Sequence, residues 1–311
     1  MLPCRKSQKP CPPAMSSYPI EVRAVAEEEY TEEIDPAEVL EMAARAKASG
    51  DLAMAARMFN TAGNIYMSVA EYEEALQAFQ ESLDLYRQAG DEVGAADALY
   101  NLGVALINLE CWADAAATCD EAVKLFQKIS NDAGSADALY GLALAKLGMG
   151  EFDEAMSLFK KAQRAYKALG NEQGVATIVM DMGNAYADRE DWVNAEKSFK
   201  KALKIYQELC DPAGIADAYS LIGDIAEINN NQRKAAESFV EAAEHYLKAD
   251  LADVAREAVE RAESKLWDIP KSTRRRLRKR IDDIIDALPE ETAPSDDDEG
   301  FDDLLDFDSV E

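Results

Sequence analysis

The sequence is poor in residues that interrupt regular structure. Its 311 residues include only 15 glycines and 10 prolines, and Pro3, Pro10, Pro12, Pro13 and Pro19 are confined to the first twenty positions. A β-rich chain needs more breakers than the remainder holds, so a helical protein is expected. Histidine is almost missing: His245 stands alone, which excludes a two-histidine metal site and leaves a Ser-His-Asp arrangement hanging on one residue beside an apolar column. The five cysteines, Cys4, Cys11, Cys111, Cys119 and Cys210, lack the CxxC and CxxH spacings of zinc and redox sites, so reduced thiols and a cytoplasmic setting are expected. No apolar run approaches the roughly 20 residues of a membrane span. Near the N-terminus, Arg5, Lys6 and Lys9 stand without acids, but the prolines there prevent the amphipathic helix of a transit peptide. No Gly-rich phosphate loop follows a strand. Catalysis, cofactors and metals are not expected.

Positive charge is scarce as well. Against 61 Asp and Glu stand 33 Lys and Arg, for a net charge of −28, so the molecule's field repels phosphate backbones and anionic lipid. Nucleic acid is excluded as a main ligand.

What is abundant is periodicity. A shift of 40 residues superposes Ala56, Ala96, Ala136, Ala176 and Ala216, and likewise Ala75, Ala115, Ala155, Ala195 and Ala235. Bulky columns keep the step: Tyr72, Trp112, Phe152 and Trp192; Phe79, Cys119, Phe159, Phe199 and Phe239; Tyr86, Phe126, Tyr166, Tyr206 and Tyr246. Within a unit apolar residues recur at helical spacing, as in Leu99, Leu102, Leu106 and Leu109 followed by Ala115, Cys119, Ala122 and Phe126, so each unit is two helices. Gly90-Asp91, Ser130-Asn131, Gly170-Asn171 and Cys210-Asp211 join a helix end to a strong N-cap. The expected organisation is an extension over 1–35, Pro-rich then acidic and disordered; a half repeat at 36–50; five repeats at 51–90, 91–130, 131–170, 171–210 and 211–250; and an extra helix at 251–266. A basic capping helix then occupies 267–288, with Leu277, Ile281, Ile284, Ile285 and Leu288 on its inner face. An acidic disordered tail fills 289–311.

Small residues at Gly63, Gly103, Ala143, Gly183 and Gly223, an aromatic opening most second helices, and the Ala75 and Phe79 columns together resemble the tetratricopeptide repeat signature over about 36–266. The usual closing proline is absent, and each unit has 40 residues where the family has 34. The long form is similar to the repeats of Pins-type spindle-orientation adaptors and of rapsyn. The resemblance implies an all-α solenoid, a right-handed superhelix of helix-turn-helix units whose first helices line a groove, and a non-enzymatic scaffold or adaptor for other proteins. It further implies groove-lining by Arg57, Asn60, Asn64, Asp97, Tyr100, Asn101, Val104, Asp137, Tyr140, Leu144, Met180, Asn184, Asp188, Asp217, Asp224 and Glu227. Acids stand where the family's chaperone-tail binders carry cations, so a basic or amphipathic partner segment is expected. The alternatives are a structural subunit of a cytoskeletal or ciliary assembly, and recruitment through the tail.

Two features lie beyond the array. Lys271 is followed by Arg274, Arg275, Arg276, Arg278, Lys279 and Arg280 with no acid among them. The tail sets Phe301, Leu304, Leu305 and Phe307 among carboxylates, and its Leu304-Leu305-Asp306-Phe307-Asp308 run resembles the clathrin-box peptide. A clathrin-type partner, another protein, or the chain's own basic helix are the readings for that segment.

Overall fold

The computed structural model describes residues 35–289. The expected N-terminal extension up to 34 and the tail motif at Phe301, Leu304, Leu305 and Phe307 lie outside the described residues. Thirteen α-helices and a single 3-10 turn make up the described chain, with no strand among them. They fall into two compact units divided between Asp211 and Pro212.

The first unit holds α1 (Pro36–Ser49), α2 (Leu52–Ser68), α3 (Tyr72–Ala89), α4 (Glu92–Asn108), α5 (Trp112–Lys128), α6 (Asp132–Gly148), α7 (Phe152–Ala168), α8 (Glu172–Ala187) and α9 (Trp192–Leu209). Each packs on the next. Their starts are set by short polar side chains that satisfy otherwise orphaned N–H groups: Asp51 accepts from Met54 N at 3.0 Å, Asp91 from Gly94 N at 3.0 Å, and Asn131 and Asn171 from Gly134 N and Gly174 N, both at 2.9 Å. Their ends are set by a left-handed residue that recurs every twenty positions. Gly50, Ala70, Gly90, Glu110, Ser130, Gly150, Gly170, Glu190 and Cys210 all have φ between +55° and +83°.

Packing inside a helix pair follows from the Gly63 and Phe79 columns. A Cβ on Gly63 would lie 2.5 Å from the Phe79 ring, and one on Gly183 would lie 2.4 Å from Phe199. The missing side chains make slots that the fully buried phenylalanines fill. A second glycine column does the same between pairs, where Gly94, Gly134 and Gly174 receive Tyr86, Phe126 and Tyr166. Ser82, wholly buried, donates to the Ala56 carbonyl at 2.8 Å and ties α3 to α2.

The second unit holds α10 (Pro212–Ile228), α11 (Gln232–Lys248), α12 (Ala252–Lys265), the 3-10 turn Leu266–Asp268 and α13 (Lys271–Ala287). Leu277, Ile281 and Ile284 of α13 are buried with Phe239, Val240, Tyr246 and Ile269 in one core, with Leu288 packed at its edge. Ile285, expected on this inner face, is 48 % exposed, because α13 turns toward α11 the stripe three and four residues apart that excludes position 285. Cys119 is buried and free and Cys210 exposed and free. Burial in apolar surroundings pushes the Cys119 thiol up to about 12, so it acts as a small apolar residue in the Phe column. Cys111 departs from the expectation of reduced thiols in being disulfide-bonded.

Candidate interaction surfaces

In the first unit the first helices of successive pairs touch directly, α2 on α4 and α4 on α6, whereas no comparable contact joins the second helices among the described residues. Closer approach on one side defines the inner face as that of α2, α4, α6 and α8. Tight approach also buries three of the residues expected to line it. Val104 is 1 % exposed, and Asn101 and Met180 are 8 % exposed each; they are packed between helices and present little surface. Arg57, Asp97 and Asp188 are exposed, while Asn60, Asn64, Tyr100, Asp137, Tyr140, Leu144 and Asn184 are half-buried.

A polar ladder runs across these helices with a step of 41 residues. Asn101 Nδ2 donates to Asn60 Oδ1 at 3.1 Å, and Tyr140 Oη donates to Asp181 Oδ2 at 2.6 Å. Asp181 also accepts from Asn184. Burial pushes the Asp181 carboxyl up to about 6 against the pull of both hydrogen bonds, and the same burial with the Asp181 charge raises the Tyr140 phenol. Asp181 was not among the expected residues: its column reads Thr61, Asn101, Gly141, Asp181 and Leu221, and so mixed a column does not mark a polar stripe. Asp97 remains exposed, yet desolvation by the surrounding face, and then Asp91, still raise its carboxyl. Asp137 has a different fate: it accepts from Tyr166 Oη.

In the second unit the expected acids are matched within the chain. Asp217 accepts from Tyr246 Oη at 2.7 Å. Arg261 of α12 pairs with Asp224 and stands 3.6 Å from Glu227, its guanidinium 4.0 Å from the Phe239 ring centroid. Lys265 pairs with Glu227 and lowers its carboxyl first by hydrogen bonding, whereas burial raises Asp224 despite Arg261. Because 251–266 repeats the first-helix pattern, the sequence already places Arg261 and Lys265 on the face that carries these acids.

The basic cluster divides. Arg276 bonds Glu237 at 2.7 Å, and Arg280 bonds Glu241 at 2.8 Å and Glu244 at 2.7 Å; the pairing holds the Glu244 carboxyl below its usual range. Arg274 donates to the carbonyls of Trp267 at 2.8 Å and Ile269 at 3.2 Å, its guanidinium 5.8 Å from the Trp267 ring. Arg275, Arg278 and Lys279 are exposed and form no ion pair among the described residues. His245 is half-buried in α11, its Nδ1 2.9 Å from the Glu241 carbonyl.

Helix pairs with these columns have known counterparts. Residues 62–93, 94–168 and 174–248 match tetratricopeptide repeat families. The chain carries tetratricopeptide repeats. None of the curated proteins matches it significantly in sequence. Among solved structures, this tetratricopeptide-repeat chain is similar to BtubC (BKLC) from P. vanneervenii, with TM-score 0.58, 18 % identity, and 69 % of this chain and 89 % of that chain covered. It is also similar to apo RapI, with TM-score 0.54, 14 % identity and coverages of 73 % and 69 %. A signal-transduction ATPase with a tetratricopeptide repeat sensor from Pyrococcus horikoshii matches with TM-score 0.55 and 14 % identity over 81 % of this chain, which spans 41 % of that protein. At these identities the likeness is one of fold. The repeat suggests a protein-interaction scaffold, and no catalytic family is indicated. Among the described residues no helix is long and apolar enough to cross a membrane.

Proposed function

We propose that the protein is a non-enzymatic adaptor whose first unit holds a basic or amphipathic segment of a partner protein against the face of α2, α4, α6 and α8. One contrast carries this reading. In the second unit Asp224 and Glu227 have cations from α12, whereas Asp97, Asp181 and Asp188 of the first unit have no cation among the described residues. A carboxylate desolvated without a counter-charge favours an incoming lysine or arginine, and the amide edges of Asn60, Asn64 and Asn184 suit an extended backbone. The pairing of Arg261 with Asp224 over the Phe239 ring is the chain's own example of that recognition. The 40-residue spacing supports kinship with long-repeat adaptors of the Pins and rapsyn type.

The test is retention of the full-length protein on arrays of 12-residue peptides graded in net charge, with acidic peptides as the control. Basic peptides should be retained, and Asp97→Lys combined with Asp181→Asn should reduce retention at least tenfold. Equal retention of acidic peptides, or retention unaffected by the two substitutions, would move the interaction off this face.

A further inference from the structure

Helix α13 carries its charges against its own dipole. Its first turn holds no acid and its N-cap, Pro270, offers no side-chain bond, yet Lys271, Arg275, Arg278 and Lys279 crowd its first half, where backbone N–H groups already make the field positive. At 100° per residue these four share the solvent-facing side, opposite Leu277, Ile281 and Ile284. Asp282, Asp283 and Asp286 continue the same side toward the C-terminus. Just before the helix, the Trp267 side chain is 75 % exposed. Read from the C-terminal end backwards, this surface is therefore acidic, then cationic, then aromatic.

The chain that follows α13 matches the last two of these in order, acids for the cationic stretch and then apolar side chains for the aromatic one. Beyond Pro289, whose carbonyl accepts from Arg256, residues 290–311 contain eleven acids and no base. The densest acids are Asp296, Asp297, Asp298 and Glu299, and the bulky apolar residues Phe301, Leu304, Leu305 and Phe307 come only after them. Lengths agree as well. From Leu288 back to Arg275 is 13 helical residues, about 20 Å, and from Pro289 to Asp296 is 7 extended residues, about 23 Å. Lys271 to Lys279 spans about 12 Å of helix, and the acids at 296–299 span about 10 Å extended.

We propose that residues 296–307 fold back antiparallel to α13, setting the acids at 296–299 on Lys271, Arg275, Arg278 and Lys279 and Phe301 with Leu304 on the face of Trp267. Single exposed ion pairs contribute little, but tethering converts them into an intramolecular contact at an effective concentration in the millimolar range, and covering Trp267 adds apolar burial. The segment thereby occupies the cationic face and withholds both it and the tail motif from other proteins.

Zero-length carbodiimide cross-linking tests this on an equimolar mixture of unlabelled and ¹⁵N-labelled full-length protein at low micromolar concentration. Mass spectrometry should find amide links from Lys271 or Lys279 to the acids at 296–299, within single copies only. Their yield should fall at least fivefold between 50 mM and 500 mM salt, and by a similar factor in the Arg275→Glu plus Arg278→Glu variant, whose exposed positions leave the core untouched. Links that join labelled to unlabelled copies, links from 296–299 to other lysines instead, or a yield indifferent to the two substitutions would overturn the proposal.

Discussion

Asp97, Asp137 and Asp217 occupy one column of the repeat, but what stands 29 residues later decides what each does. Tyr166 and Tyr246 donate to Asp137 and Asp217, whereas the position 29 residues after Asp97 holds Phe126, which has no hydroxyl. The column was legible in the sequence; the division of labour needed the register of second helices on the next first helix. Removing Asp137 takes an acceptor from the buried Tyr166 hydroxyl, so Asp137→Ala should cost about 1 kcal/mol or more, while Asp97→Ala should stay within about 0.5 kcal/mol and chiefly weaken basic-peptide retention. Denaturant melts of the two variants check the contrast. Asp181 makes a pH prediction. Its folded carboxyl is raised to about 6 from 3.8, so between those values the native state binds more protons than the unfolded chain, and stability falls as pH rises through that window. Asp181→Asn keeps an acceptor for Tyr140 and removes the charge. It should be more stable than the parent by about 1 to 3 kcal/mol at pH 7.5, a gap that closes toward pH 4, as thermal melts across pH would record.

At the scale of the element, the repeat of 40 is a geometric repeat of twenty: a helix of sixteen to eighteen residues and a turn with one left-handed residue. Gly90 and Gly170 signal that conformation openly, and the sequence reading found helix ends there. Ala70, Glu110 and Glu190 adopt it without glycine, and nothing in their residue type announces it; the packing of the flanking helices imposes it. L-residues resist φ near +60° because Cβ crowds the following carbonyl. Relief of that crowding should let Glu190→Gly gain about 0.5 to 1 kcal/mol even after the added freedom of the unfolded chain. At Gly90 a Cβ would meet no atom within 4 Å, so Gly90→Ala isolates the backbone effect and should lose about 1 kcal/mol. Opposite signs at these equivalent turns, read from urea midpoints, are the expected outcome. The end of the array was only half legible. The apolar stripe of α13 is evident in the sequence, but the alternation of its arginines between Glu237, Glu241 and Glu244 on one side and solvent on the other depends on where α11 lies.

Over the whole molecule one quantity dominates, the charge of −28. A field of that sign does not choose the fold, since every helix but α2 carries carboxylates, but it acts on whatever approaches. The chain neutralises itself selectively: Arg261 and Lys265 answer the acids of α10, Arg276 and Arg280 answer those of α11, and no cation among the described residues answers Asp97, Asp181 or Asp188. That local imbalance was not legible from composition, because the cations that matter lie 36 to 39 residues from these partners and only the stacking of neighbouring helices brings them together. The consequence is kinetic. A partner segment carrying three or more cations is steered toward the protein by the long-range field and held by desolvated carboxylates at short range, and salt screens the first far more than the second. Stopped-flow association of a basic 12-residue peptide should therefore slow about tenfold or more between 50 mM and 500 mM salt while its dissociation rate changes by less than about threefold. In Asp181→Asn the pattern should reverse, with faster dissociation and nearly unchanged association. Equal salt sensitivity of both rates would mean that the peptide rests on exposed charges alone and that the buried carboxylate plays no part in holding it.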